Sequence, residues 1–243
     1  MLKRLFDVLA SAGGLVVLSP LLLPVILLIW LQDFRSPFYI APRMARGNGK
    51  FRMVKLRSMA VNAAASGVNS TSANDPRITP IGHVIRRFKL DEFMQLWNVL
   101  KGDMSLVGPR PQVAVDAALY TDVEKRMLSV RPGITDLASI VFSDEGDVLA
   151  GSDNPDLKYN QIIRPWKSRL ALLYLDHRSL LLDVRIILLT VLAIFSRESA
   201  LGQVVELLKR WKAEELIIRM AARQEPLIAY PPPGADSIVA SYP

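Results

Sequence analysis

A mainly α protein with a few short β-strands (α+β) is the fold class this sequence predicts. The prediction includes an N-terminal re-entrant membrane hairpin, helix–break–helix, ahead of a cytoplasmic domain with interfacial amphipathic helices. Three observations carry it. Residues Val8–Gln32 hold no charged side chain. Helical spacing of apolar residues recurs through most of the chain beyond that segment. Strand-like patterns are confined to two short stretches. The expected organisation is a hairpin over 1–34, a main domain over 35–200, an amphipathic helix over 201–223 and a disordered tail over 224–243.

Twenty-five uncharged residues of helix extend roughly 37 Å, enough to cross a hydrocarbon core. A single spanning helix is the first reading. Two details favour a hairpin instead. Ser19-Pro20 sits mid-segment with Pro24 four residues on, and proline removes a backbone donor and clashes with the preceding turn. Both flanks are basic, with Lys3-Arg4 before and Arg35, Arg43 and Arg46 after. Positive residues stay on the cytoplasmic side, so both ends belong to one face. A cleaved signal peptide fits poorly, because the apolar run is long and no small-residue cleavage site closes it.

The 243 residues suffice for one sizeable core. With no cysteine there are no disulfides, thiolate metal sites or cysteine nucleophiles. Two histidines, His83 and His177, make a histidine-built metal site a poor fit. A formal charge of +7 favours anionic partners. Nine Lys/Arg against two acids between Met1 and Met59 wrap the apolar segment in positive charge. That pattern points to membrane lipids. Nucleic acid is not expected, since the basic runs lack a recognition motif and aromatic interleaving.

Beyond the apolar segment, Phe51–Arg57 alternates like a strand, with Val54 and Leu56 opposite Lys55 and Arg57. Val61–Asn74 is rich in Ala, Ser, Asn and Gly and reads as a mobile loop. Asp75-Pro76-Arg77 is a turn. Ile81, Val84, Ile85 and Phe88 keep helical spacing, as do Phe93, Leu96, Trp97 and Leu100 after a break at Lys89-Leu90. Ala114–Val130 reads as an amphipathic helix ended by Arg131-Pro132-Gly133, and Leu137–Phe142 as a short strand. Leu170–Phe195 is apolar but interrupted by Asp176, Arg178, Asp183 and Arg185, which suits a core or interfacial helix. Leu201–Arg223 is amphipathic, with Trp211 among Lys209, Arg210 and Lys212. It suits a membrane surface or an ordinary protein surface equally.

The chemistry concentrates around Asp91-Glu92. A carboxylate at a helix start is kept ionised by the helix dipole and free N–H groups. That suits a nucleophile or metal ligand, although a plain helix cap has the same signature. Arg77, Arg86, Arg87, Lys89 and Arg110 crowd nearby in sequence, and guanidinium forks suit phosphate oxygens. Pro109 and Pro111 restrict the backbone around Arg110. Paired carboxylates, cations and a membrane segment together suggest phosphoryl chemistry on a lipid phosphate. Mg2+ is the simplest hard cation to neutralise the phosphates.

At these residues the chain resembles the bacterial sugar transferase family, the monotopic polyprenyl-phosphate phosphoglycosyl transferases. The matching pieces run through Lys3-Arg4-x-x-Asp7, Ser19-Pro20, Arg43, Phe51, Lys55-Leu-Arg57-Ser-Met59, Asp75-Pro-Arg-Ile-Thr79 and Gly82. They continue through Leu90-Asp91-Glu92, the block from Gln95 to Pro111, and Arg131-Pro-Gly-Ile-Thr135, with Tyr174 and Asp183 beyond. About residues 1–195 are covered. The resemblance implies that Asp91 attacks the sugar-bearing phosphate of a nucleoside diphosphate sugar, usually a UDP-sugar, and UMP leaves. Undecaprenyl phosphate then takes the phosphosugar, the first lipid-linked step of a bacterial surface glycan or exopolysaccharide. It further implies that Glu92, with Asp91, holds Mg2+. Lys55, Arg57, Arg86 and Arg110 are the matching phosphate-binding cations, and Ser19-Pro20 is the hairpin break. The site lies at the cytoplasmic face of the bacterial inner membrane. Whether the chain forms a homodimer is left open.

Several positions depart from the pattern. Lys89 stands where Ser is usual, Phe93-Met94 replaces Leu-Pro, Ala45 and Asp136 replace glycines, Ser139 replaces Gln, and His177-Arg178 replaces Asn-Trp. Asp136 and Ser139 bear on donor specificity. Lys89 is expected to tighten phosphate binding or alter metal dependence. The alternative to an enzyme is a non-catalytic membrane scaffold of a glycan-assembly complex, against which the intact Asp91-Glu92 pair argues.

Overall fold

The computed structural model describes residues 1–63, 71 and 75–242. The loop expected at Val61–Asn74 falls largely on 64–70 and 72–74, outside the described residues. The protein is mainly helical with four short strands among the described residues.

Helix α1 (Leu2–Asp33) is one unbroken helix, and Pro20 and Pro24 lie inside it. The break expected at Ser19-Pro20 is absent from its backbone. Pro20 has no N–H for the Val16 carbonyl, but Ser19 Oγ donates to that same oxygen at 2.8 Å. The hydroxyl replaces the missing bond, so the helix continues past the proline. It is long and apolar enough to cross a membrane by length and composition. One stripe, including Leu22 and Ile29, packs on Leu56, Ile85 and Leu90. Its opposite face leaves Val16, Val17 and Leu23 exposed.

Both ends of α1 are fastened to the domain. Lys3 Nζ donates to Asp183 at 2.5 Å and to the Val107 carbonyl at 3.2 Å. Arg4 donates to the carbonyls of Val99 and Leu100 at 2.5 and 2.8 Å. Those oxygens end the helix over Gln95–Lys101, where a cation complements both orphan carbonyls and dipole. Asp7 accepts from Ser105 Oγ at 2.9 Å and Leu106 N–H at 3.1 Å. At the far end Arg57 grips Asp33 through two bonds of 2.6 Å. Phe34, in the left-handed region at φ 54°, closes the helix.

Strands β1 (Phe38–Met44) and β2 (Lys50–Leu56) form an antiparallel pair. Phe51, Met53 and Leu56 of β2 are buried. Helix α2 (Pro80–Arg87) starts at Thr79, whose side chain accepts from Gly82 N–H. A tight 3-10 turn (Leu90–Met94) leads into α3 (Gln95–Lys101). Strand β3 (Ser105–Val107) pairs in parallel with β4 (Gly133–Thr135). There Gly108 crosses Gly133 so closely that a Cβ on Gly133 would lie 2.1 Å from Gly108 N.

Four elements differ from the sequence reading. Ala114–Val130 is not one helix but α4 (Ala114–Ala118) and a 3-10 segment (Glu124–Ser129). Thr121 and Glu124 cap each other reciprocally and restart the chain there. Leu137–Phe142 is not a strand. It forms α5 (Leu137–Val141), because Asp136 caps the Ser139 N–H. After the short α6 (Glu145–Leu149) and α7 (Pro155–Lys158), a π turn at Tyr159–Ile163 leads into α8 (Arg164–His177). The long apolar run is thus split, with Ser179 capping α9 (Leu180–Phe195). Residues 201–223 also split, into α10 (Arg197–Arg210) and α11 (Glu215–Ala222), with Lys212 at φ 54° between them.

The main core lies where α5, α8, α9, α10 and α11 meet, around Trp166, Leu170, Ile186, Val204 and Leu208. Helices α10 and α11 therefore bury an apolar face against protein. Helix α9 buries Leu182, Ile186 and Leu189 but exposes Leu181, Leu188, Ile194 and Phe195. The segment 224–242, read from composition as disordered, lies along α8 as an extended strap. Trp166 Nε1 bonds to the Ile228 carbonyl at 3.0 Å, Arg169 to the Pro231 carbonyl at 2.9 Å, and Gln161 to the Val239 carbonyl at 2.8 Å. Prolines fixed in extended backbone lose little entropy on docking, and the Ile228 and Pro231 carbonyls find donors on α8.

Candidate active site

Leu90 is buried against the α1 stripe and α2, which anchors the turn that begins with it. Lys89, immediately before, adopts the left-handed conformation at φ 53°, ψ 28° and redirects the chain out of α2. Asp91 and Glu92 then occupy the first turn of the 3-10 segment. Their side chains are 14% and 19% exposed, accessible yet largely desolvated.

Strand β2 brings Lys55 over this turn. Asn98 of α3 holds the strand in place, accepting from Val54 N–H and donating to the Arg52 carbonyl, each at 2.8 Å. Lys55 Nζ then lies 3.4 Å from Asp91 Oδ2 and 3.5 Å from Glu92 Oε1. Arg110 approaches from the other side and donates to Glu92 Oε1 at 2.5 Å. Its backbone is held by the glycine crossing, where Gly108 N–H bonds the Thr135 carbonyl at 3.1 Å and Gly133 N–H the Pro109 carbonyl at 2.9 Å.

Burial alone would raise the Glu92 pKa, but Arg110 and then Lys55 outweigh it and hold the carboxyl well below the usual range. The same pair holds Arg110 above its ordinary value, Glu92 being the main cause. Lys89 is lowered by desolvation, with Arg110 adding to the effect against the pull of Glu92. Its ammonium makes no ion pair among the described residues. A strained backbone thus presents a cation with no described ion-pair partner two residues from Asp91.

The structure brings Asp91, Glu92, Lys55 and Arg110 together and leaves the other expected residues elsewhere. Arg57 is not at the pair, because its guanidinium is engaged by Asp33 and the Ile29 carbonyl. Arg86 lies on α2, and its charge acts on Asp75. Ser19 and Pro20 lie within α1. Among the described residues, no group of three His, Cys, Asp or Glu side chains converges on one point. The pair still offers hard oxygens, since Asp91 Oδ1 and Glu92 Oε2 accept no hydrogen bond from the described residues. That donor set fits a Mg2+ ion, which commonly takes one or two carboxylates and completes its shell with water and substrate phosphates.

Behind Arg110 lies a small cavity of about 30 Å³ that also reaches Asp136, Ser139, Tyr159 and Lys167. Lys167 and Tyr159 were not singled out in the sequence. They lie far downstream in helical runs with no local motif to mark them.

A long, largely exposed apolar helix lies beside a carboxylate pair clamped by Lys and Arg, a site suited to phosphoryl chemistry. The chain belongs to the bacterial sugar transferase family, whose sequence profile matches residues 1–197. It is 33% identical over 202 residues to the UDP-N-acetylgalactosamine-undecaprenyl-phosphate N-acetylgalactosaminephosphotransferase of Aeromonas hydrophila, covering 80% of this chain and 44% of the relative. It is 39% identical over 210 residues to the undecaprenyl-phosphate glucose phosphotransferase of Komagataeibacter xylinus, covering 81% of this chain and 36% of the relative. The chain therefore spans less than half the length of these two relatives. It is 36% identical over 207 residues to exopolysaccharide production protein PSS of Rhizobium leguminosarum bv. phaseoli, covering 81% of this chain and 96% of the relative.

Proposed function

We propose that this protein is a phosphoglycosyl transferase, moving a phosphosugar from a nucleoside diphosphate sugar, a UDP-sugar, to undecaprenyl phosphate. The observation that carries the reading is the clamped pair. Glu92 is locked by Arg110, while Asp91 shares only the longer contact to Lys55. One carboxylate is thus fixed and the other is freer to move and react.

In the proposed reaction an Asp91 oxygen attacks the sugar-bearing phosphorus, and the bond from that phosphorus to the bridging oxygen breaks. UMP leaves with the bond's electrons. A phosphate oxygen of undecaprenyl phosphate then attacks the same phosphorus and expels the Asp91 carboxylate, giving a lipid diphosphate sugar. Lys55 and Arg110 lie where they can balance phosphate charge as it accumulates. Glu92 and Asp91 would hold Mg2+, which supplies charge neutralisation between the phosphates when bound.

Location supports the same reading. Lys3, Arg4 and Asp7 fasten one end of α1 to the domain, and Asp33 fastens the other. An apolar helix tied at both ends to one domain keeps both ends on that domain's side, which suits a segment lying along one leaflet of the cytoplasmic membrane. The exposed residues of α9 would add lipid contact. The test incubates detergent-extracted protein with radiolabelled UDP-sugars, Mg2+ and undecaprenyl phosphate. Wild type should release UMP and Asp91→Asn should not. Failure of wild type with every donor in a broad panel rejects the proposal.

A further inference from the structure

Lys89 is a cation beside the carboxylate pair that the pair does not engage. Lys55 spans Asp91 and Glu92 at 3.4 and 3.5 Å, and Arg110 bonds Glu92 at 2.5 Å. Lys89 feels the charges of Glu92, Arg110 and Asp91, yet its side chain has no ion pair and no hydrogen bond among the described residues. Its backbone is fixed. The Lys89 N–H bonds the Arg86 carbonyl at 3.1 Å, and its own carbonyl accepts from Glu92 N–H at 3.2 Å. The left-handed conformation at φ 53° is one that glycine or asparagine takes at less cost. A lysine held there puts an exposed, unengaged ammonium at the edge of the site.

The residues before Lys89 indicate which anion it suits. Val84 on α2 and Phe88 at its C-terminal cap are 52% and 56% exposed. They stand one turn apart, with Phe88 N–H bonded to the Val84 carbonyl at 3.2 Å. The Arg87 guanidinium lies 5.7 Å from the centre of the Phe88 ring. A neighbouring face of α2 buries Ile85, with Ile81 beside it, against Leu22 and Ile29 of α1. Helix α2 therefore has one apolar face fixed to the long apolar helix and a second left open, and the open face ends at Lys89. An apolar patch that meets a free ammonium suits an amphiphile, with hydrocarbon on the patch and phosphate on the cation. A UDP-sugar carries no hydrocarbon chain and gains nothing from Val84 and Phe88. A polyprenyl phosphate does.

We propose that Lys89 binds the phosphate of the lipid acceptor, and that Val84 and Phe88 guide its isoprenoid chain from α1 to that phosphate. This rests on the acceptor class proposed above and deepens it. A phosphate oxygen of the acceptor forms the new bond to the phosphorus carried by Asp91. The bond from that phosphorus to Asp91 breaks, and its electron pair leaves with the carboxylate. The acceptor brings negative charge toward two carboxylates, and Lys89 offsets part of that repulsion without moving a proton. Lys55 and Arg110 stay with the pair and the donor phosphates, so the two substrates meet different cations.

The test uses Lys89→Asn, which removes the charge and tolerates the left-handed backbone, and Lys89→Arg, which restores the charge. Calorimetry without donor sugar measures binding of geranyl phosphate and of UDP to the full chain in detergent with Mg2+. Loss of one charge-assisted contact in Lys89→Asn should weaken geranyl phosphate about tenfold and leave UDP unchanged. Lys89→Arg should recover most of that affinity. Phe88→Ser should also weaken geranyl phosphate and leave UDP unchanged. In a reaction through a covalent intermediate, kcat/KM for each substrate reports its own half. At saturating Mg2+, Lys89→Asn should therefore lower kcat/KM for undecaprenyl phosphate about tenfold and spare that for the UDP-sugar. Equal weakening of UDP and geranyl phosphate makes Lys89 a general phosphate cation and overturns the proposal. Unchanged geranyl phosphate binding in Lys89→Asn overturns it too, and unchanged binding in Phe88→Ser overturns the chain path. The binding arm needs no turnover, so failure of the proposed reaction and failure of this site are separate results.

Discussion

Replacing Arg110 with methionine isolates the clamp on Glu92. Breaking a fully buried ion pair by removing one partner costs about 3–5 kcal/mol. Here Glu92 is 19% and Arg110 35% exposed, and Lys55 stays 3.5 Å from the same oxygen. Solvent screening and that remaining cation reduce the expected loss to about 1.5–3 kcal/mol. For a chain of this size, the melting midpoint should fall by about 3–10 °C. Glu92→Gln removes the charge left behind, so Arg110→Met with Glu92→Gln should recover most of the stability. It should recover none of the activity, because the phosphate still lacks its guanidinium, and kcat/KM should stay about 10²-fold down. Thermal melts of the four proteins in one detergent complete a double-mutant cycle. Additivity within about 0.5 kcal/mol would refute the coupling. The pH dependence comes from the sign of the Glu92 shift. Its folded pKa lies below the unfolded value of about 4.3, so the stabilisation is full above that pH and disappears as pH falls through the folded value. The stability gap between wild type and Arg110→Met should be flat across neutral pH and close only in acid.

Three further outcomes are expected. Gly133→Ala should abolish folded expression, because its Cβ meets the Gly108 backbone at 2.1 Å, whereas Gly202→Ala, with nothing within 4 Å, should stabilise helix α10 by about 0.5–1 kcal/mol. The two variants differ only in site, so equal behaviour in an expression and melting assay would contradict the close crossing. Single cysteines at Leu2 and Arg35, introduced into this cysteine-free chain, should both react with an impermeant maleimide in inside-out vesicles and in neither case from the outside. Opposite accessibility would establish a spanning helix. Lys89→Ser removes a positive charge that competes with a cation at Asp91 and Glu92, and should lower the Mg2+ concentration needed for half-maximal UMP release. An unchanged Mg2+ profile would exclude a role for Lys89 there.

Much of the site was legible because its residues sit close in sequence. Asp91 and Glu92 come just after an obvious break, and Pro109 and Pro111 mark Arg110. Arg57 was legible as a cation only, since composition records a charge without its partner. Only the packing of α1 against β2 supplies Asp33 as that partner. The segment Leu137–Phe142 was ambiguous for another reason. Six apolar or small residues suit a strand or a helix, and a cap at Asp136 decides between them. Asp136 itself was visible as an unusual residue, but its burial and its cap on Ser139 were not.

By itself the sequence determined the helical class, the apolar anchor, the carboxylate pair and the family. These depend on local periodicity, composition and contiguous motifs. Tertiary structure decided which cations reach the carboxylates, how Ser19 carries α1 past Pro20, and where the tail docks. It also decided what lies behind Arg110. Each of these depends on distances between residues far apart in the chain or on the packing around them. Such distances are set by the fold, and local sequence pattern does not encode them.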